Sequence, residues 1–431
     1  MCRLIIAGTS SGSGKTSIVC GLLNALINRK LNINSYKCGP DYIDSIFHSK
    51  ILGVDVSNLD AFFCNRDILC TLLDKPGISI IEGVMGYYDG IAMTDKASTY
   101  DIARLTDTPA VLVVNCKGMS NSIGAIIKGF MQYKEDSNIK GVILNRLSPM
   151  LYDAMNDICN MNGIKLYGFL PDIKDASFKS RHLGLDISDG IDTLKEKINL
   201  ITQNIEKYID LDGLISLARS AKKLSYKKIV IDKITDKTVA IARDEAFCFN
   251  YSDNIDLLKR LGCNIKYFSP LRDKKLPRCD RLILSGGYPE LYKKELSQNI
   301  SMLNDIRYHI NKGLKVIAEC GGFMYLNDSI DNEPMAGVIK GNAFQTNRLQ
   351  KFGYINLRAN KDNLLCKKGE LIRAHEFHYY NADNCGEDFY CEKPISKTYW
   401  HSGHLSDTYY FGYPHIYFWG NIEAIKNFVM D

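Results

Sequence analysis

The chain has 431 residues, 45% hydrophobic and 24% charged, with 54 basic and 49 acidic residues and a net charge of +5. Those proportions belong to a globular protein of two or three domains, and they exclude long disorder, a fibrous repeat and a strongly basic nucleic-acid binder. The 14 cysteines are irregularly spaced with no Cys-x-x-Cys pair, and the first apolar run, Leu4–Ala7, stops at Gly8. That run is too short for a signal peptide or a membrane span, so free thiols in a reducing cytoplasm are expected.

The first half alternates short apolar runs with longer helical patterns. Leu4–Ala7 reads as a buried strand and Ser17–Lys30 as a helix. Ile78–Ile81, Ala110–Val114 and Gly141–Leu144 read as further strands. Short apolar runs separated by helices point to a parallel sheet in an α/β domain.

Between the first strand and the first helix stands Gly8-Thr9-Ser10-Ser11-Gly12-Ser13-Gly14-Lys15-Thr16. Small residues let consecutive N–H groups curl around phosphate oxygens, and the helix N-terminus adds partial positive charge. Thr9, Ser11, Gly12, Ser13, Gly14, Lys15 and Thr16 are therefore expected to bind ATP. Lys15 reaches the outer phosphates, and Thr16 serves Mg²⁺. The general pattern has glycine where this chain has Thr9, with Gly8 one place earlier. That spacing resembles the variant in dethiobiotin synthetase and related amidoligases.

Mg²⁺ calls for further oxygen ligands at neighbouring strand ends. Glu82 closes the apolar run Ile78–Ile81, where an unpartnered charge would be costly. Asp41 lies in the loop Lys37–Asp44, as do the substrate-loop candidates Tyr42 and Asp44. A surface turn is the competing reading for the two aspartates.

The stretch Leu211–Lys237 is lysine-rich and reads as a solvated helix end followed by a linker or edge strand. A second α/β pattern then begins, with strands at Val239–Ala242, Arg281–Leu284 and Lys315–Ala318. The expected division is an ATP-binding domain over 1–225, a linker over 226–237 and a second domain over 238–431. The last third is rich in aromatic and polar residues without a periodicity that assigns elements.

The third of these strands runs into Ala318-Glu319-Cys320-Gly321-Gly322-Phe323. A cysteine on a glycine-flanked strand-to-helix turn is a nucleophile elbow, and the helix N-terminus is expected to lower its pKa. The loop Ser285-Gly286-Gly287-Tyr288-Pro289 supplies N–H groups that, with Gly321, could form an oxyanion hole. Among the histidines after the elbow, His415 is placed near the chain end, where the base of single-cysteine amidotransferases lies. The usual glutamate two residues on is replaced here by Tyr417. The reading is a Cys320–His415 pair, its third member missing or supplied elsewhere. The competing reading of His415 is a histidine packed in an aromatic run.

Gly8–Thr16, Lys37–Asp44, Asn58–Asp60, Glu82–Gly90, Gly141–Arg146 and Arg181–Leu185 carry a resemblance that runs almost end to end. Ala242–Phe249, Ser285–Glu290, Ala318–Leu326 and His375–Tyr379 continue it. The chain resembles the cobyrinic acid a,c-diamide synthase family. Asp244–Phe249 and His375–Tyr379 separate it from the cobyric acid synthases. It departs from the family at Tyr417, Pro414 and Lys179-Ser180.

The resemblance implies a P-loop NTPase domain, dethiobiotin synthetase-like, followed by a class I glutamine amidotransferase-like domain. It implies ATP-dependent amidation of the c- and a-acetate carboxylates of a corrinoid through acyl phosphates, with ammonia from glutamine at Cys320. Corrinoid, glutamine and ATP are then the partners, with no nucleic acid or membrane, and a homodimer is compatible with this. Nickel-sirohydrochlorin and hydrogenobyrinic acid are alternative substrates. A P-loop switch protein with an inactive glutaminase-like domain is the alternative of another class. His375, Glu376 and His378 receive no role.

Overall fold

The computed structural model describes residues 1–41, 51–173 and 191–430. Tyr42, Asp44 and the Arg181–Leu185 segment lie outside them. The chain forms two compact units, Met1–Ile229 and Val230–Asp431.

The first unit is built on a seven-stranded parallel sheet. Its strands are β1 (Cys2–Gly8), β2 (Ile33–Cys38), β3 (Val56–Leu59), β4 (Ile78–Glu82), β5 (Ala110–Asn115), β6 (Ile139–Asn145) and β7 (Lys165–Leu170), in the order β3-β2-β4-β1-β5-β6-β7. The expected strands of the first half all fall within it. Leu4, Ile5, Ile6 and Ala7 are fully buried, as a central parallel strand covered on both faces requires. Helix α1 (Lys15–Asn28) lays Ile18, Val19, Leu22, Leu23 and Leu26 into the core at helical spacing. A methyl group on Gly21 of α1 would meet Ile201 at 2.6 Å, so glycine there allows the helix Ile191–Tyr208 to pack closely.

The buried guanidinium of Arg3 is compensated by hydrogen bonds. Arg3 on β1 donates to the Thr106 carbonyl at 3.1 Å, the Thr108 hydroxyl at 3.1 Å and the Lys222 carbonyl at 2.6 Å. The lysine-rich stretch follows the helix Leu211–Arg219 along this unit. Lys228 pairs with Asp74 at 2.8 Å, and the Ile229 N–H donates to Thr71 at 3.0 Å. No helix among the described residues is long and apolar enough to cross a membrane.

The second unit has a six-stranded sheet. It contains β8 (Thr238–Ala242), β9 (Asn264–Phe268), β10 (Arg281–Leu284) and β11 (Lys315–Glu319), extended by Tyr409–Gly412 parallel to β11 and by an antiparallel edge, His404–Leu405. The aromatic last third, which the sequence leaves unassigned, forms two further sheets. One has five strands, including Lys351–Ala359, Leu371–His378 and His415–Ile416, antiparallel to one another. Its alternation is interrupted by inward polar residues, and this is why no simple period shows in the sequence. No disulfide joins any of the 14 cysteines.

Candidate active sites

In the first unit the phosphate loop leaves β1 and enters α1 through Gly14, whose φ of 98° caps the helix from the left-handed region. A Cβ at Gly14 would also lie 2.0 Å from the Asn145 side chain, which itself donates to the Ser13 carbonyl at 2.9 Å. Both constraints demand glycine. At Gly12, φ is 73° and open space surrounds the position a Cβ would take. The Ser13 hydroxyl is buried without a hydrogen-bond partner among the described residues. Lys15 extends its ammonium to the carbonyls of Ser10 (3.0 Å) and Met85 (2.5 Å).

Two of the expected metal ligands come together. The Thr16 hydroxyl donates to Glu82 Oε1 at 2.6 Å. Lys37 reaches the same oxygen at 2.8 Å from the adjacent strand, with the carboxylate wholly buried. The pairing follows from register, because β2 and β4 set Lys37 opposite Glu82. Asp41 is half-buried, and Asn58 holds its carbonyl at 2.8 Å and that of Gly39 at 2.9 Å. A hydroxyl and a carboxylate beside a glycine cradle with a lysine form a donor set that fits a nucleoside triphosphate with Mg²⁺.

In the second unit Cys320 sits between β11 and the helix Gly321–Leu326 with φ 48° and ψ −106°. A non-glycine residue held at positive φ stores strain of roughly 1–3 kcal/mol, and such residues cluster at active sites. Two contacts hold the turn. The Cys320 N–H donates to the Gly412 carbonyl at 2.8 Å, and Gly322 lies so close to Leu284 that a Cβ would meet its carbonyl oxygen at 2.0 Å.

The acidity expected for this thiol is corrected. Burial pushes the Cys320 thiol well above its ordinary range, and the charges of Glu290, Glu376 and Glu319 add to the rise. The Gly321 N–H at the helix start opposes them. The helix has only six residues, so its N-terminus contributes little more than that one donor.

Gly286 and Gly287 occupy different places around the elbow. The Gly287 nitrogen lies 3.0 Å from where a Cβ on Gly321 would stand, so the N–H groups of Gly287 and Gly321 are neighbours. Gly286 lies against His415, since a Cβ there would be 2.5 Å from His415 Cε1. The segment Asp244–Phe249 supports this loop. Phe249 donates to the Gly286 carbonyl at 3.0 Å, and Tyr288 donates to the Ala246 carbonyl at 2.9 Å. The Asp244 carboxylate takes the N–H groups of Ala246 at 2.9 Å and Phe247 at 3.1 Å.

His415 is buried, and its Nδ1 lies 3.6 Å from Glu319 Oε2. The other oxygen of Glu319 accepts the Ile416 N–H at 2.9 Å. The carboxylate next to Cys320 in the chain is therefore the one that faces the His415 ring. Tyr417, in the usual place of that glutamate, points instead to Asp253 at 2.9 Å. Glu319 was legible by the reasoning applied to Glu82, as a charged residue closing a buried strand. Lys37 offered no such signal.

His375 faces His415 across the strand pair. Burial and the His415 charge depress its pKa to about 3, so the ring stays neutral.

The comparisons with known proteins divide the chain at similar places. Residues 4–185 match the model of the CobQ/CobB/MinD/ParA nucleotide binding domain, and residues 238–421 match that of the CobB/CobQ-like glutamine amidotransferase domain. The chain is 38% identical to the cobyrinate a,c-diamide synthase of Clostridium acetobutylicum over 100% of both chains. It is 38% identical to that of Clostridium tetani over 99% of both. It is 39% identical to that of Methanocaldococcus jannaschii over 91% of this chain and 90% of that one.

Proposed function

We propose that this chain, which belongs to the cobyrinate a,c-diamide synthase family, uses ATP and glutamine to amidate the a- and c-acetate carboxylates of cobyrinic acid. The observation that carries the reading is one chain holding a phosphate cradle with Thr16 on Glu82 and a strained cysteine elbow with a His415–Glu319 couple.

At the elbow, Cys320 Sγ attacks the side-chain amide carbon of glutamine while His415 takes the thiol proton. The high intrinsic pKa of the buried thiol makes that base necessary. Glu319, beside Nδ1, orients the ring and stabilises its charged form. The N–H groups of Gly287 and Gly321 receive the developing oxyanion. His415 returns the proton to the departing nitrogen, ammonia leaves, and water then cleaves the thioester to give glutamate.

At the phosphate loop, the residues Thr9 and Ser11–Thr16 would hold the substrate ATP, with Lys15 over its outer phosphates. Thr16 and Glu82 would hold Mg²⁺, with Asp41 the further candidate; when bound, the ion neutralises charge on the phosphates. A corrinoid carboxylate oxygen attacks the γ-phosphorus and ADP leaves. Ammonia then displaces phosphate from the acyl phosphate, forming the amide. Tyr42 and Asp44 remain candidates for the substrate loop. We assign residues 1–225 to the ligase half, 226–237 to a linker and 238–431 to the glutaminase half, working in the cytoplasm.

The test is product mass. Cobyrinic acid incubated with ATP, Mg²⁺ and glutamine is expected to gain two amides. Cys320→Ala retains activity with ammonium alone, and Lys15→Ala loses activity with either nitrogen source. Amidation of nickel-sirohydrochlorin in place of cobyrinic acid would refute the substrate and leave the chemistry. ATP hydrolysis without amidation of either would refute the enzyme reading.

A further inference from the structure

The motif His375–Tyr379 has no part in the chemistry above, yet one face of its strand lies by the nucleophile. The Cys320 N–H is held by the Gly412 carbonyl at 2.8 Å, and the next residue, Tyr413, is buried against Phe323. The Tyr413 ring stacks on His378 at 3.8 Å with an interplanar angle of 3°. His378 Nδ1 donates to the Tyr380 carbonyl at 2.5 Å, which orients the ring, and a proton shared between Nε2 and Glu376 Oε1 at 2.9 Å pairs the two side chains. Glu376 and Tyr413 are each only 1% exposed.

Two of the buried polar atoms left without a hydrogen-bond partner among the described residues belong to this stacked cluster. Glu376 Oε2 and the Tyr413 hydroxyl are buried with no hydrogen-bond partner among the described residues. Leaving such atoms unsatisfied costs about 1–3 kcal/mol each, and more for a charged group, so a native structure that keeps them points to an absent ligand. Tyr413 follows the Gly412 carbonyl that holds the Cys320 N–H, and His378 stacks on it, so the cluster is tied to the elbow; Cys320 and Glu376 both push the Tyr413 hydroxyl upward. Lys393 feels the Glu376 charge, but its ammonium donates to the Phe352 carbonyl. Glu290, half-buried at the start of the turn after Gly287, adds a second carboxylate on the Cys320 side. Glu376 Oε2 can only accept from outside the His378 pair, so the missing ligand is a hydrogen-bond donor.

We propose that Glu376, oriented by His378 and assisted by Tyr413, binds the α-ammonium group of glutamine while its side-chain amide meets Cys320. This rests on the glutaminase reading and names the residues that select an amino acid over a simple amide.

The experiment uses the full chain and measures ammonia release from L-glutamine and from its deaminated analogue, 5-amino-5-oxopentanoate. A hydrogen bond to a charged group is worth ~1.5–3 kcal/mol, so the wild type should prefer glutamine by roughly 10–100-fold in kcat/KM. Glu376→Gln is expected to raise the glutamine KM about tenfold, change kcat less than about threefold, and bring the preference close to unity. A structural role alone would lower both substrates together and keep the preference, which overturns the proposal. Unchanged constants overturn it too, as does normal glutamine hydrolysis with poor transfer of the released ammonia. If thermal unfolding shows Glu376→Gln to be misfolded, Tyr413→Phe decides. A reduced preference supports the site, and an unchanged one overturns it. A wild type that releases no ammonia from glutamine removes the glutaminase reading and this proposal with it, whereas loss of hydrolysis in Cys320→Ala alone keeps that reading standing.

Discussion

Glu319 and His415 come within 3.6 Å of one another although one precedes the nucleophile and the other lies near the chain end. The same carboxylate also accepts the Ile416 N–H at 2.9 Å, so it ties the strand of His415 to the elbow strand as well as facing the ring. At 3.6 Å the contact with Nδ1 is an ion-pair distance and longer than a hydrogen bond, as catalytic contacts often are before substrate binds.

Glu319→Gln keeps the acceptor for Ile416 and removes the charge facing His415. Glutamine hydrolysis is expected to fall by up to roughly 10⁴-fold in kcat, by analogy with the loss of a triad carboxylate. Ammonium-supported amidation should be unaffected. Steady-state kinetics with each nitrogen source measures this, and a fall of less than fivefold would mean that Glu319 only braces the backbone.

Gly286→Ala places a methyl group 2.5 Å from His415 Cε1, well inside the carbon–carbon contact distance. The ring must move, and displacement of a catalytic group by about 1 Å can cost roughly 10²-fold. The variant should lose glutaminase activity by about that factor with little change in thermal midpoint. Retained activity would place the working histidine elsewhere.

Lys37→Met removes the cation facing the Glu82 carboxylate inside the first unit, where the two side chains are 6% and 0% exposed, and leaves the Thr16 hydroxyl on the same oxygen. Breaking a buried pair from one side costs about 3–5 kcal/mol. Urea unfolding should show that loss, and a change below 1 kcal/mol would mean that the carboxylate finds another partner.

Glu290 titrates at about 7 in the folded chain against an ordinary value of 4.5, chiefly through burial. The folded state thus holds this proton over a range where the unfolded state has released it. The stability from Glu290 is complete below about 4.5 and declines as pH rises to about 7. In Glu290→Gln this part of the slope should vanish. The alkylation profile of Cys320 should also move to lower pH, because a neighbouring negative charge is gone. Thermal midpoints and iodoacetamide rates across pH 4–8 measure both, and parallel curves for wild type and variant would exclude the effect.

Sequence alone determined whatever depends on neighbours in the chain. The strand, glycine-rich turn and helix of Gly8–Thr16 and the elbow at Cys320 are contiguous, so residue size, backbone freedom and hydrophobic run length were enough to specify them. The apolar strands of the parallel sheets were legible for the same reason. Only tertiary structure decided the pairings. Lys37 meets Glu82 because β2 and β4 align them, and His375 meets His415 because two antiparallel strands align those. Glu319 serves His415 because a strand from the chain end returns beside the elbow, and the same return turns Tyr417 away to Asp253. A buried charge records that it needs a partner, but which partner answers is set by strand register, and register is a property of the whole sheet.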